Sequence, residues 1–474
     1  MGMRSAIVHY WLLNWRGGEK VLESLCRLLP DADIFTLFYD PRAVSPEIRR
    51  HNVTASFLNP LRRHYRHLLP LMPMALEQFD LRGYDLVVSS ESGPAKGVLT
   101  SSSARHICYC HTPMRYIWDL YPAYAREWLP AWKRALFAPV SNYLRLWDVA
   151  SAARVDEFIA NSDHVRRRIQ KAWRRDARVV YPPVAVESFY WREPEDYYLV
   201  VSELVAYKRV DVAVRAFAGS GRRLRVVGDG PEFKHLKRLA SPGIEFCGRV
   251  PDNELRDLLA RSRALIVPGE EDFGMTPVEA LASGKPVVAL GRGGTLESVP
   301  TADPLGGVFF DEPDEANLTE ALDRFERVEA QVRPRELQHG RSSSPKRTFW
   351  HACGRSWMRS PRESRRKSRG GTPRFASVGV AQTIVVCRLR TVLELGRPRK
   401  TMACPTAICA TQNLQMFSGF SSILRKCPDG CSCYACACRA CQRWRRTTIP
   451  AARCVRLVTR TSGSISIRIH ITRA

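Results

Sequence analysis

Two glutamates with seven residues between them, Glu271 and Glu279, stand on either side of a glycine that is placed to start a helix. Residues 274–283 have the composition of that helix, and the first N–H groups of a helix have no partner within it. Together with the helix dipole, these groups favour an anion such as a phosphate. The predicted anion site is the backbone of Gly274, Met275 and Thr276.

Short apolar strands and paired glycines surround this site. An apolar run precedes the two glutamates, and residues 287–290 form another that predicts a strand. The sequence G-R-G-G follows it, and its last two residues, Gly293 and Gly294, let the backbone approach a ligand closely. A second pair, Gly17 and Gly18, follows the first apolar strand of the chain and precedes an amphipathic helix. Strands that alternate with helices predict α/β domains with parallel sheets, whose sites lie at the carboxyl ends of the strands.

These blocks resemble a known enzyme family. The E-x7-E block followed by G-R-G-G-x-x-E resembles the donor-binding block of the retaining glycosyltransferases of family 4, and the sequence HTPMRYIWDLY resembles the acceptor-side block of a bacterial subgroup involved in surface polysaccharides. The resemblance covers about residues 6–338. It implies a GT-B fold, in which two Rossmann-like α/β domains face one another across a cleft. The implied domains are residues 1–184 on the acceptor side and 185–338 on the donor side.

The resemblance also implies roles for single residues. Glu279 is expected to hold the donor ribose, and Lys208 the diphosphate. The implied catalytic residues are His111, Lys208 and Glu271. The implied donor-binding residues are Gly17, Gly18, Arg209, Arg249, Gly274, Met275, Thr276, Glu279, Gly293 and Gly294.

Glu203 departs from the family pattern, because an arginine often stands at this position. A lysine acts on a diphosphate as a point charge, whereas an arginine adds directional hydrogen bonds. Either Arg209 or Arg249 supplies the missing cation, or this loop binds phosphate less tightly than in typical members.

The expected activity is transfer of a hexose from a nucleotide sugar to a polysaccharide or lipid-linked acceptor, with retention of configuration. GDP-mannose is the donor expected by analogy, and neither a further cofactor nor a metal is expected, since Asp31-Ala32-Asp33 is interpreted as a turn. Two alternatives stay open: a nucleotide-sugar epimerase or hydrolase on the same scaffold, and a protein that binds nucleic acid through its basic tail. We expect the transferase, without a nucleic-acid partner.

The chain has no run of about 18 apolar residues, and its N-terminus turns polar too soon for a signal peptide. These features predict a cytoplasmic protein. Residues 61–74, LRRHYRHLLPLMPM, mix basic and apolar side chains, and their prolines argue against a continuous helix. They are interpreted either as a rim of the acceptor cleft that contacts the inner membrane surface or as a solvated linker.

The formal net charge of +26 is concentrated at one end of the chain. Residues 339–474 carry 27 Lys and Arg against 3 Asp and Glu, whereas residues 1–338 carry 46 against 44. The basic tail also holds 11 of the 15 cysteines, and its cluster CSCYACACRAC lacks the two separated knuckles typical of structural zinc sites. Its composition predicts disorder. The abrupt change at residue 338 supports the hypothesis that the tail is an out-of-frame reading of the gene.

Overall fold

The computed structural model of the protein describes residues 3–128, 131–342, 408–410 and 453–455. Residues 408–410 and 453–455 pair as a short antiparallel ladder. The hypotheses on the basic tail, namely its disorder, the zinc alternative and its out-of-frame origin, lie outside the described residues.

The first sheet is parallel throughout and has seven strands in the order β3-β2-β1-β4-β5-β6-β7. Its central strands are buried along almost their whole length, as expected where helices cover both faces of a parallel sheet. The strands are β1 Ser5–His9, β2 Asp33–Thr36, β3 Val53–Ala55, β4 Leu86–Glu91, β5 Arg105–Cys110, β6 Glu157–Ala160 and β7 Ala177–Val179.

The second sheet is also parallel and has six strands in the order β10-β9-β8-β11-β12-β13. The strand order reverses between β1 and β4 in the first sheet and between β8 and β11 in the second, and open α/β sheets bind ligands at such points. The strands are β8 Tyr198–Val201, β9 Leu224–Val227, β10 Ile244–Gly248, β11 Leu265–Val267, β12 Val287–Leu290 and β13 Gly307–Phe310.

Helices pack on both faces of each sheet and bury apolar clusters against them. Those in the first half are α1 Gly17–Leu28, α2 Pro46–Arg49, α3 Met72–Glu77, α4 Tyr121–Ala123, α5 Ala131–Ala152 and α6 Asp163–Trp173. Those in the second half are α7 Val210–Phe217, α8 Phe233–Leu239, α9 Asp252–Arg261, α10 Met275–Ala282, α11 Thr295–Ser298, α12 Glu315–Val328 and α13 Pro334–Ser342. The prediction of two α/β domains with parallel sheets is thereby confirmed.

Several elements differ from the sequence-based expectation. The sequence of residues 179–184, VVYPPV, favours a strand, but β7 ends at Val179, shortly before two prolines whose nitrogens cannot donate to a ladder. The 22-residue helix α5 was not expected, because apolar residues stand on its exposed face as well as its buried face and hide the helical period. Helix α13 continues past residue 338 to Ser342.

Residues 61–74 form no continuous α-helix, in agreement with the effect of their prolines. Residues Asn59–Leu71 form 3₁₀ turns, with α3 directly after them. Asp33 accepts hydrogen bonds from Tyr84 and Asn52 and belongs to β2. Among the helices that the structure describes, none is both long and apolar enough to cross a bilayer.

Candidate active site

The start of α10 has the geometry of an anion site. Gly274 caps the helix with φ of +84°, in the left-handed region that favours glycine. A Cβ at this position would lie 3.1 Å from Cγ of Pro277, so a larger residue would be crowded as well as strained. The N–H groups of Met275 and Thr276 cannot be satisfied within the helix and are available to an anion.

Lys208 and Glu271 meet beside this helix start. Lys208 follows β8 and Glu271 follows β11, the two strands at which the order of the second sheet reverses. The Nζ atom of Lys208 lies 2.7 Å from Oε1 of Glu271. Burial acts to lower the pKa of Lys208, but the Glu271 carboxylate raises it, and the net pKa lies above the usual lysine value. Lys208 is therefore a charged ammonium held in the cleft.

Gly269, which no sequence motif indicated, leaves the space that the Lys208–Glu271 pair requires. A Cβ on Gly269 would lie 2.6 Å from the carbonyl oxygen and 2.8 Å from Cα of Lys208. The loop after β11 therefore passes directly against the loop after β8. A Pro-Gly dipeptide directly after a predicted buried strand is the signal that could have identified it.

Glu279 is buried in the second turn of α10 and forms an ion pair with the first domain. Its Oε1 lies 3.2 Å from Nζ of Lys20 on α1. The pair borders a cavity of about 180 Å³ between α1, α9 and α10. Burial acts to lower the pKa of Lys20, but Glu279 and Asp252 raise it, and the net shift is upward. Lys20, which no sequence motif indicated, is thus the first-domain partner of Glu279, the residue expected to hold the ribose.

The two predicted glycine pairs lie against other parts of the site. A Cβ on Gly17 would be 3.1 Å from Sδ of Met275, which shows that the start of α1 lies against the start of α10. Gly293 has φ of +79°, and its Cβ would be 2.3 Å from the carbonyl oxygen of Glu271. The N–H of Gly294 donates to the same oxygen at 2.8 Å. Close backbone packing explains why positions 293 and 294 are glycines. Their contact with the donor stays a prediction.

Gly18 completes the first pair and contacts an aromatic side chain. Its Cβ would lie 2.2 Å from the hydroxyl oxygen of Tyr10, so a larger residue would require the tyrosine side chain to move. The contact fixes the beginning of α1 at the carboxyl end of β1.

Glu203 has a cation opposite it, and that cation comes from the first domain. The Nη1 atom of Arg16 donates to Oε2 of Glu203 at 2.7 Å. Arg209 adopts φ of +53° and pairs with Asp211 at 3.3 Å. Arg249 is exposed in the turn between β10 and α9. Of the three arginines, Arg16 is the one paired with the reversed charge, whereas the sequence motifs indicated only Arg209 and Arg249.

His111 lies at the carboxyl end of β5 on the first-domain side. Its Nε2 lies 2.9 Å from Oγ of Ser90, and its backbone N–H donates to the carbonyl of Glu91 at 2.7 Å. Burial, followed by the nearby His9, lowers the pKa of His111 to about 3, although Asp272 acts to raise it. His111 is therefore a neutral imidazole at physiological pH.

Two acidic neighbours of Glu271 contact basic groups of the first domain. Arg168 on α6 forms ion pairs with both Glu270 and Asp272. His164 lies 3.1 Å from Oε1 of Glu270. The hydrogen bond from His164 lowers the pKa of Glu270 to about 2, and Arg168 and Arg115 act in the same direction against the effect of burial. These contacts fix the loop that carries Glu271.

Glu297 adds a further cross-domain contact. Its two carboxylate oxygens accept the backbone N–H groups of Asp163 and His164, each at 2.8 Å. It therefore caps α6 from the opposite domain, where a negative charge also matches the helix dipole. The G-R-G-G-x-x-E motif contains this glutamate, but its spacing gives no information about a partner in the other domain.

Among the residues that the structure describes, no group of three or more His, Cys, Asp or Glu side chains is arranged to hold a metal ion. The ionic groups of the cleft are instead paired with one another. The site consists of a helix N-terminus, the Lys208–Glu271 pair, the Lys20–Glu279 pair and the Arg16–Glu203 pair, with His111 on the first-domain side. Such preorganised charges and dipoles can stabilise a developing anion in a water-poor cleft.

Two family models together match most of the described chain. The model described as Glycosyltransferase Family 4 matches residues 15–188, and the one described as Glycosyl transferases group 1 matches residues 186–339. Among curated proteins, an uncharacterized glycosyltransferase of Methanocaldococcus jannaschii is 26% identical over 203 residues, which are 42% of this chain and 57% of that protein. The α-1,3/1,6-mannosyltransferase ALG2 of Mus musculus is 23% identical over 283 residues, or 51% of this chain and 65% of that protein. The chain thus spans less than two thirds of either relative.

Solved structures show the same architecture. The Anabaena protein HepE, in complex with UDP and glucose, superposes with a TM-score of 0.55 at 15% identity, over 76% of this chain and 100% of that chain. Sucrose-phosphate synthase from Thermosynechococcus elongatus has a TM-score of 0.55 at 16% identity, over 78% and 100%. At these identities the likeness establishes the GT-B fold. Taken with the two family models, it shows that residues 15–339 of this chain belong to the glycosyltransferases of the GT-B fold.

Proposed function

We propose that this protein transfers a hexose from a nucleotide sugar to a lipid-linked or polysaccharide acceptor, in the manner of the bacterial surface-polysaccharide glycosyltransferases. The observation that carries the proposal is the Lys208–Glu271 pair, which lies at the reversal point of the second sheet beside the start of α10. A donor diphosphate at that helix start would lie within the field of the Lys208 ammonium. Charge grows on the leaving diphosphate during transfer, so both groups favour the transition state.

Binding of the donor is expected to rearrange the ion pairs of the cleft. A diphosphate offers Lys208 a stronger partner than Glu271, and once released, the carboxylate can accept hydrogen bonds from hydroxyls of the sugar. Arg16 can likewise exchange its partner Glu203 for the diphosphate, because its side chain is partly exposed and already reaches the second domain. We therefore propose that Arg16 supplies the cation that Glu203 does not.

His111 and Glu279 are proposed to hold the two ends of the donor. Glu279 and Lys20 border the cavity that suits the ribose, and the neutral His111 can donate or accept a hydrogen bond at the sugar. No side-chain nucleophile is assigned, and a same-face displacement would retain the configuration at the anomeric carbon. We propose that neither a metal nor a cofactor is required beyond the nucleotide sugar.

GDP-mannose is the proposed donor. The name of the mouse relative, a mannosyltransferase, supports the sugar, whereas HepE was crystallised with UDP and glucose. The test is a panel of GDP-mannose, UDP-glucose and related donors with and without a lipid-linked sugar acceptor, scored by release of nucleoside diphosphate and by mass of the acceptor product. Acceptor-dependent release with a heavier acceptor supports transfer. Equal release without acceptor would indicate the hydrolase instead.

The basic tail is proposed to take no part in this reaction, in keeping with its predicted out-of-frame origin. Limited proteolysis of the purified full chain, with and without zinc, tests the hypothesis. Cleavage to a stable fragment that ends near residue 342 and retains donor turnover is the expected result. A zinc-dependent protected fragment from residues 343–474 would contradict it.

A further inference from the structure

Helix α5 carries a stripe of large apolar side chains on its exposed side. Trp132, Leu136, Tyr143 and Leu146 recur at helical spacing and are exposed by 66%, 64%, 45% and 70%. The opposite side of the helix packs into the protein through residues such as Leu144, which is fully buried. Apolar side chains that line one helical face in this way form a patch that a monomer in water rarely leaves uncovered.

The 3₁₀ segment Asn59–Leu71 extends this patch. Leu69 from that segment packs in the same apolar cluster as Val140 and Leu144 of α5, so both elements border this cluster. On its outer side the segment and the residues just after it expose the large apolar residues Leu61, Leu71 and Met74.

The charge of the two elements indicates the nature of the partner. Asp148 is the one carboxylate within residues 59–74 and 131–152, and it is buried against Lys96. The same two stretches expose Arg63, Arg66 and Arg134. Apolar side chains flanked by arginines, with no exposed carboxylate between them, match an anionic lipid surface, in which acyl chains lie beneath acidic headgroups.

We propose that α5 and residues 59–74 form a docking surface for an anionic lipid bilayer, with α5 lying in the plane of the interface. The 22-residue helix α5 is long enough to span a bilayer but not apolar enough, and we therefore place it in the plane of the interface. The stripe would enter the acyl region while the arginines contact the headgroups. The inference extends the proposed transfer to a lipid-linked acceptor, but it is tested by vesicle binding and does not depend on turnover.

The first experiment compares two matched double variants of the full chain by cosedimentation with vesicles that contain about one third phosphatidylglycerol at about 0.15 M salt. Leu136→Ser with Leu146→Ser removes two leucines from the stripe, and Leu99→Ser with Leu296→Ser removes two exposed leucines elsewhere. The stripe variant should bind at least about tenfold more weakly than the control, because each buried CH₂ contributes to partitioning. The basic tail is present in both variants, so its contribution cancels.

The second experiment tests the charge. Arg63→Gln with Arg66→Gln should weaken binding to the phosphatidylglycerol vesicles about tenfold and leave the weak binding to pure phosphatidylcholine unchanged. Lys234→Gln with Arg238→Gln on α8 is the charge-matched control. Equal losses in stripe and control variants would overturn the proposal. So would light scattering that shows a dimer dissociated by the stripe variant, because a second copy would then be the occupant.

Discussion

Two lysines of this protein, Lys96 and Lys208, are each held by a carboxylate, and they differ in what surrounds the pair. The side chain of Lys96 has no solvent exposure and forms an ion pair with Asp148 inside the first domain. It also lies 4.3 Å from the ring centre of Trp173. Lys208 retains 18% exposure, and its partner Glu271 retains 23%.

The surroundings of Asp148 explain why the first pair is structural. Its Oδ2 accepts the indole N–H of Trp118 at 2.7 Å and that of Trp173 at 2.6 Å. Burial raises the pKa of the nearby Glu91 to about 8, in spite of the lowering effect of Lys96. With Glu91 protonated, the positive charge of Lys96 is balanced by the negative charge of Asp148 alone. A buried ion pair whose two carboxylate oxygens both accept hydrogen bonds from the protein contributes to structure, whereas one open to a cleft is available to a ligand.

The largest expected effect is the loss of stability when the buried ammonium of Lys96 is removed. Lys96→Met should lower the free energy of unfolding by about 3–5 kcal/mol, because Asp148 remains buried without its cation. Urea unfolding followed by circular dichroism measures the change. Lys171→Met, at an exposed position on α6, is the control and should stay within about 0.5 kcal/mol of the wild type. An unchanged midpoint for Lys96→Met would contradict the structural assignment.

The Lys208–Glu271 pair, which is partly exposed in the cleft, should show the opposite behaviour. Lys208→Met is expected to lower kcat by about a hundredfold or more, because the charge that develops on the leaving diphosphate loses its balancing cation. Its unfolding free energy should change by no more than about 1 kcal/mol, since the pair is partly solvated. Steady-state kinetics and urea unfolding of the same preparation test both statements. Lys234→Met on α8 is the control, and wild-type turnover in Lys208→Met would show that the donor site lies elsewhere.

Glu279 is a case between the two lysines. Its side chain is nearly as buried as that of Lys96, but it borders the cavity between α1, α9 and α10. Glu279→Ala should raise the donor KM about tenfold and change kcat little, as expected for a contact made equally in the ground state and the transition state. Glu23→Ala is the matched control, since Glu23 lines the same cavity but pairs with Arg27. If kcat fell while KM stayed constant, Glu279 would act in the chemical step instead.

The donor-side elements could be predicted closely because their signals are local. The helix expected at residues 274–283 runs from Met275 to Ala282, and the strand expected at 287–290 has those bounds in the structure. Glycine, carboxylate and apolar run follow one another along a single stretch of chain. The two strands beside this helix are buried at every residue and are therefore continuous apolar runs, a signal that is contained in the local sequence.

The cross-domain contacts could not be predicted in this way. Arg16 and Glu203 are 187 positions apart, and Arg168 is 104 positions from Asp272. An arginine on an amphipathic helix has the same local pattern whether it faces water or an opposing carboxylate. The reversed charge of Glu203 was visible in the sequence, but the geometry of the fold was needed to identify its partner. Helix α5 was missed for a related reason, because its exposed stripe resembles a buried face.

The smallest expected effect concerns His111, which lies inside the first domain like Lys96 but at the edge of the cleft like Lys208. His111→Asn should slow transfer by about tenfold and leave nucleotide affinity nearly unchanged, because the nucleotide binds to the other domain. Since burial lowers the pKa of His111 to about 3, the imidazole is neutral throughout the range from about pH 5 to pH 8. The ratio of wild-type to variant kcat should therefore stay constant across that range. His235→Asn, at an exposed position on α8, is the control for the loss of an imidazole.

Three measurements on the His111 variant separate the two assignments: kcat as a function of pH, nucleotide affinity by calorimetry, and the urea midpoint. A structural histidine would lose its hydrogen bond to Ser90 on substitution, so stability, affinity and turnover would fall together. A cleft histidine loses turnover alone. A kcat ratio that changed with pH near the ordinary histidine pKa would show that His111 is protonated in the working enzyme, and a cationic contact with the donor would then replace the neutral hydrogen bond.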